Sequence, residues 1–341
     1  MLQGASIILA DHDILAAPAR PDFARFPDGF GPRFILTVDT EEEFDWSAPL
    51  DRDSHSVVTI PALAKFQQFC EGFGVCPLYL VDYPVASSPA AGEALGQAAR
   101  EGRCEIGLQL HPWVNPPFVE ELTPRNSFAG NLPPDLERDK VMTLRDAVLT
   151  TFGVQPVAYR AGRYGAGPET ARILREAGIG VDTSVRARFD YSYSGGPNYR
   201  DHPLVPYWLG GPGGLLELPL TTVFWGPLRR QGDWLYPRLW RVPQVRGALS
   251  RAGLLERIPL TPEGVTAEEA IRGIDMALDD GLPLLVFSFH SPSLAPGHTP
   301  YVRSMSALDA FHDWWRTVFA YLERRGVRPA SLSGIKTAAL A

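Results

Sequence analysis

Cysteine is scarce in this chain of 341 residues. Cys70, Cys76 and Cys104 are an odd number with no CxxC pair, which argues against a disulfide framework or a thiolate zinc site and points to reduced thiols in a cytoplasmic protein. Long apolar runs are missing as well, and without a stretch of about 18 apolar residues no transmembrane segment is expected. Met1 to Ala10 is partly apolar, but no basic residue precedes the run and Asp11 and Asp13 follow it, unlike a secretory leader. Positive charge is not in excess: 32 Lys and Arg against 39 Asp and Glu give −7. That balance disfavours nucleic acid or an anionic membrane as the main partner and suits a neutral or cationic small molecule. Neither a 20–50-residue repeat nor a low-complexity segment is present.

What is present is the composition of a globular protein, 45% hydrophobic and 21% charged. Residues 1–30 read as an N-terminal arm rich in Pro, Ala, Asp and Arg. From 31 to 336 short apolar runs alternate with helical patterns. Strands are expected at Phe34 to Val38, Val75 to Val81, Cys104 to Leu110, Pro156 to Tyr159, Ile179 to Asp182, Leu215 to Leu220 and Leu284 to Phe289, with a closing strand near 328–336. Helices are expected over Ile60 to Phe73, 90–101, 135–152, 168–177, from a Thr266 capping box to near Gly281, and over Ser306 to Glu323. The alternation predicts an α/β fold, a distorted parallel (β/α) barrel of about seven strands with decorated loops. It would form one catalytic domain with an insertion over about 225–262 that carries Trp225, Trp234 and Trp240.

In a parallel barrel the C-terminal strand ends converge on one face. Four such ends carry polar chemistry: Thr37 to Glu41, Gln109 to Trp113, Tyr159 to Tyr164 and Phe287 to His290. Asp39 and Glu41 are two apart, so they share a strand face and repel. Unless a cation or an arginine lies between them, one has a raised pKa, as a metal ligand or general base would. Glu42, Glu43 and Asp45 continue the acidic run, and a solvated turn is the alternative reading. Gln109 and His111 likewise share a face. His290 ends a largely apolar strand run, where a histidine has little structural reason to be. Arg160 and Arg163 flank Ala161-Gly162, a small turn that admits guanidinium groups, and Arg160 is placed to orient Asp39. The alternative is a structural salt bridge at the barrel mouth. Trp46, Trp113, Tyr164, Tyr191, Tyr193, Trp208 and Trp225 lie in or beside the same segments, and such rings stack on sugar faces. Trp314 and Trp315 read as core.

These segments, in this order, resemble the polysaccharide deacetylase superfamily, also called carbohydrate esterase family 4 or the NodB-homology domain. The stretches Thr37 to Trp46, His111-Pro112-Trp113 and His290 to Leu294 followed by Thr299 to Val302 are most similar to its cytoplasmic WalW-type branch. The resemblance covers about 31–335 and implies hydrolysis of an N-acyl, foremost N-acetyl, amide on a sugar or related amine. It implies Asp39 as general base, His290 as general acid and Arg160 as the tether of the base. It further implies a divalent metal, zinc before others, on Glu41 and His111, and a pocket lined by Trp113, Arg163, Tyr164, Asp182 and Ser184. A second metal-ligand histidine is usual, and here Gln109 stands in its place, a poorer zinc donor. His55 or His298 are candidates for a missing ligand. Three readings stay open: a metal-dependent deacetylase, a metal-free amide or cyclic-imide hydrolase, and a saccharide- or partner-binding protein on the same scaffold.

Overall fold

Runs such as Phe34-Ile35-Leu36 have no polar alternation, the pattern of a parallel strand covered on both faces. The computed structural model describes residues 13–45, 47–239 and 242–341; Met1 to Ala10, Trp46 and Trp240 lie outside that range. Its strands are β1 (Arg33–Thr40), β2 (Leu78–Val81), β3 (Glu105–Leu110), β4 (Tyr159–Ala161), β5 (Val181–Asp182), β6 (Tyr207–Leu209), β7 (Leu215–Glu217), β8 (Thr222–Trp225), β9 (Glu256–Pro259), β10 (Leu284–His290) and β11 (Arg328–Pro329). The main sheet runs β10-β1-β2-β3-β4-β5-β7-β6, with β11 beside β1, while β8 and β9 form a separate antiparallel ribbon. From β10 to β7 every neighbour is parallel, and β6 is antiparallel to β7. The result is a curled, parallel-rich half-barrel. Its open side is bridged where Thr221 N donates to Val286 O and Ser288 N to Leu260 O.

The helices are α1 (Ile60–Glu71), α2 (Tyr83–Ala86), α3 (Pro89–Arg100), α4 (Pro134–Phe152), α5 (Thr170–Glu176), α6 (Gly232–Leu239), α7 (Pro243–Arg251), α8 (Ala267–Asp279), α9 (Met305–Arg324) and α10 (Leu332–Ala339). Their starts and stops follow local chemistry. Thr266 and Glu269 form the expected capping box on α8, and α4 stops at Gly153, whose φ of 72° suits a residue without Cβ. None of the described helices is long and apolar enough to cross a membrane.

Alternation along the strands separates two cores. Phe34, Leu36, Val38, Phe287 and Phe289 face the helices, against Phe66 of α1 and Trp315 of α9; each such phenylalanine contributes about 1.5–3 kcal/mol on burial. Ile35, Leu78, Leu80, Ala158, Val181, Leu216 and Val286 face the interior. The expected closing strand near 328–336 is mostly a helix instead. Pairing stops after Arg328–Pro329, Ser331 accepts from Gly334 N to start α10, and Leu332, Ile335 and Ala339 cover the interior cluster. The 225–262 insertion is a helical hairpin, α6 and α7, carried on the β8–β9 ribbon.

Candidate active site

The interior is apolar at its lower levels and becomes polar only at the C-terminal strand ends. There Asp39, Glu41, Gln109, His111, Trp113, Arg160, Arg163, Tyr164 and His290 line one cleft of about 440 Å³. Asp39 is directly opposite His290 in the β1–β10 register, and Gln109 is opposite Arg160 in β3–β4. Each member of the first pair has its own counter-charge. Arg160, 1% exposed, bonds Asp39 Oδ1 and uses three further donors on Thr37 Oγ1 at 2.9 Å, Thr183 Oγ1 at 3.1 Å and Thr183 O at 3.0 Å. Glu263 receives His290 Nδ1 at 2.6 Å and the His290 backbone N–H at 3.1 Å, and Ser293 Oγ at 2.6 Å holds the same carboxylate. His290 Nε2 is left facing Asp39 Oδ2 at 3.7 Å. Burial alone would lower the His290 pKa, but Glu263, Glu41 and Asp39 outweigh it and push it up to about 10, so the ring is an imidazolium at neutral pH.

The acidic run is not a solvated turn. Glu41, Glu42 and Glu43 are all buried, each with a different task. Burial pushes the Glu41 pKa up to about 7, with His290 and His111 opposing and Asp39 adding to the rise. Of the two repelling acids, Asp39 took the arginine. Glu42 accepts His111 Nδ1 at 2.9 Å and Trp113 Nε1 at 3.0 Å. It also lies against Asp82, and burial raises both carboxyls, Glu42 to about 8, so the pair retains a proton. Glu43 accepts from Val58 N at 2.9 Å and Thr59 N at 2.8 Å, fixing the entry to α1.

His111 therefore presents Nε2 to the cleft, with Glu42 fixing ring orientation as the carboxylate behind a metal-bound histidine does. Trp113 stacks on it, centroids 4.3 Å apart. The loop that follows is tied down by Lys140, fully buried, which donates to the carbonyls of Pro112, Asn115 and Pro117 and pairs with Glu120 at 3.1 Å. Gly162 leaves room for the ring: a Cβ there would lie 2.3 Å from His111 Cδ2 and 2.6 Å from Leu110 O. Next to it Arg163 and Tyr164 have φ of 56° and 61°, a left-handed conformation that costs about 1–3 kcal/mol per residue and clusters at functional sites.

Glu41 Oε2, His111 Nε2 and the Gln109 amide nitrogen lie 3.0–3.5 Å from one another. The amide nitrogen faces both would-be ligands, while Gln109 Oε1 is buried without a partner. With the amide turned, that orphaned oxygen joins the other two, and the residues fit a divalent cation as two strong donors and one weak one. Glu42, Asp82 and His111 also come within 4.8 Å of one another, but their ligand atoms already satisfy each other behind the cleft.

No family model and no curated protein matches the sequence. Shape gives more. A Mycobacterium smegmatis protein described as a polysaccharide deacetylase matches over 96% of this chain and 95% of its own, at 21% identity and a TM-score of 0.50. The two share a fold. A 4-alpha-glucanotransferase from Thermococcus litoralis reaches the same TM-score at 13% identity, over 89% of this chain and 40% of that one. A carbohydrate esterase family 4 pseudoenzyme from Bacillus anthracis, at 9% identity and a TM-score of 0.42 over 94% and 70%, is too distant to carry an argument. Structural neighbours thus include deacetylases and pseudoenzymes of that family, none singles out a WalW-type branch, and a shared fold assigns no activity.

Two residues expected at the pocket are elsewhere. Asp182 pairs in register with Tyr159 and with Glu217, on the helix-facing side, and Ser184 bonds Asp182 at 2.7 Å there; Thr183 is the residue facing Arg160. Trp208 is buried in the interior cluster, Tyr191 stacks behind Tyr164, and Trp225 lies under Arg272 on the β8–β9 ribbon. His55 and His298 line an adjoining cleft of about 910 Å³, which shares Phe44 with the first but not Glu41. Sequence reasoning missed Glu263, whose only signal is an acid in the turn Thr261-Pro262-Glu263-Gly264, and gave Glu42 no role.

Proposed function

We propose that this chain hydrolyses an N-acyl amide, foremost an N-acetyl group, on a sugar or related amine. The observation that carries the reading is the Asp39–His290 pair: a carboxylate and an imidazolium on adjacent strand ends, each fixed by its own counter-charge, in one cleft. Asp39 Oδ2 takes a proton from the water that attacks the acyl carbon. The C–N bond then breaks, its electron pair stays on nitrogen, and His290 Nε2 supplies the proton that releases the amine. Arg160 keeps Asp39 in position, and Glu263 does the same for His290. Tyr164 offers a flat wall for a sugar ring, and Trp113 backs the His111 ring. Glu41, His111 and Gln109 would hold a divalent cation, which when bound polarises an acyl oxygen and acidifies a water.

One feature favours a metal-free form of the same hydrolysis: the Gln109 amide nitrogen already hydrogen-bonds Glu41 and faces His111. Zinc content by mass spectrometry, on protein purified without chelator, separates the two. About one zinc per chain, lost in Glu41→Ala or His111→Ala, selects the metal-dependent form. The hydrolase reading itself is tested by acetate release from a panel of N-acetylated sugars. Positioned proton transfer contributes about 10²–10⁴-fold, so Asp39→Asn and His290→Gln should each lose that much while keeping the wild-type circular dichroism. Near-normal turnover in both variants refutes the assignment.

A further inference from the structure

The net charge of −7 is unevenly distributed. Residues 226–255 hold six arginines and a single acid, Asp233, a formal +5 against −12 for everything else. This is the segment that forms α6 and α7. Its inward side chains, Leu235, Tyr236, Leu239 and Leu249, close on Phe224 and Leu255 as a cluster separate from the two main cores. Its outward side is apolar as well: Trp234 is 60% exposed, Val245 46%, Val242 44% and Leu254 38%. Arg230, Arg238 and Arg251 of the same segment are exposed too, with the Arg238 guanidinium 4.3 Å from the Trp234 ring centroid. Asp233 is turned toward Arg188, at 3.0 Å.

Arginines alone would suit any polyanion. Exposed valine, leucine and indole side chains have no use against a phosphodiester backbone, whereas at a bilayer the indole sits at headgroup level, aliphatics reach the acyl boundary and arginines meet anionic headgroups. We propose that the α6–α7 hairpin docks the protein peripherally on an anionic lipid surface. The proposal is independent of the chemistry in the cleft. A relay of ring contacts links the hairpin to the cleft wall: Arg257 lies against Tyr236 and Phe189, Phe189 stacks on Tyr191, and Tyr191 on Tyr164.

The test is co-sedimentation of the full chain with vesicles of phosphatidylcholine alone and of phosphatidylcholine mixed with phosphatidylglycerol. Binding to the mixed vesicles is expected to be at least about tenfold tighter and to weaken with salt. Arg230→Gln/Arg238→Gln/Arg251→Gln and, separately, Trp234→Ser should each reduce it, with unchanged melting temperatures showing that the variants fold. No binding, equal binding to both vesicles, or binding unaffected by the variants overturns the proposal. So does tight binding to single-stranded DNA that the triple variant loses and Trp234→Ser keeps, since that assigns the surface to nucleic acid.

Discussion

Replacing Glu263 by Gln removes one negative charge from the His290 ring and changes little else in shape. The remaining amide oxygen can still accept from the His290 backbone N–H and Ser293 Oγ, while the new NH₂ faces Nδ1 and favours a neutral ring that accepts there. Among the groups that raise the His290 pKa to about 10, Glu263 is the strongest. Loss of one carboxylate at hydrogen-bond distance shifts a neighbour by about 1–3 units, so His290 should titrate near 7–9 in the variant. At about 1.4 kcal/mol per unit this removes about 1.4–4 kcal/mol of stability. The sign follows from a folded-state pKa above the unfolded one: the stabilisation is complete below about pH 6.5 and disappears as pH rises through about 10. The unfolded value cancels between the two proteins, so the gap in melting temperature should be full below the variant's midpoint of about 7–9 and close toward 10. Long-range ¹H–¹⁵N spectra of the imidazole nitrogens, recorded against pH, give the midpoint without needing a substrate. An unmoved midpoint, or a stability gap that widens with pH, refutes the role given to Glu263.

Gly162→Ala should displace the His111 ring, because the added Cβ meets both the ring and a strand carbonyl; differential scanning calorimetry should show a clear loss of stability, and zinc affinity should fall with it. Gln109→His replaces a neutral amide by an imidazole at a position that faces Glu41 and His111, so zinc affinity by calorimetric titration should rise at least about tenfold; an unchanged affinity means that position 109 does not complete a metal site. Lys140→Met leaves the buried Glu120 carboxylate with only Arg52, at 3.9 Å, and frees three carbonyls, a loss of about 3–5 kcal/mol in urea unfolding, with hydrogen exchange accelerated in the loop that carries Trp113.

The strand ends were legible because their order along the chain and the convergence of a parallel barrel together place Asp39, His111, Arg160 and His290 in one cleft, whatever the loops do. Residue phase was not. Val181–Asp182 is a two-residue strand, too short for an alternation to be read, and a one-residue slip exchanges the pocket face for the helix face, so nothing in the chain itself could check the resemblance that put Asp182 and Ser184 in the pocket, where Thr183 lies instead. Glu263 was invisible because it lies 27 positions before His290 in a turn with no pattern of its own. The Glu41-Glu42-Glu43 run carries three separate functions that composition renders as one acidic stretch. The charge of residues 226–255 was hidden by the opposite charge of the rest.

The ladder that places Asp39 opposite His290 makes their separation a property of backbone pairing, set by the spacing of about 4.8 Å between neighbouring strands. The segments that shape the rest of the cleft, around Leu50, Pro124 and Tyr164, enter from other parts of the chain and do not determine it. On the proposed function, chemistry and substrate choice are therefore separately heritable in this architecture. On that hydrolase reading, insertions or exchanges in those segments would redirect the chain to a different amide while the Asp39–His290 pair is inherited intact, and a library randomised only there would sample new substrates from a constant reaction.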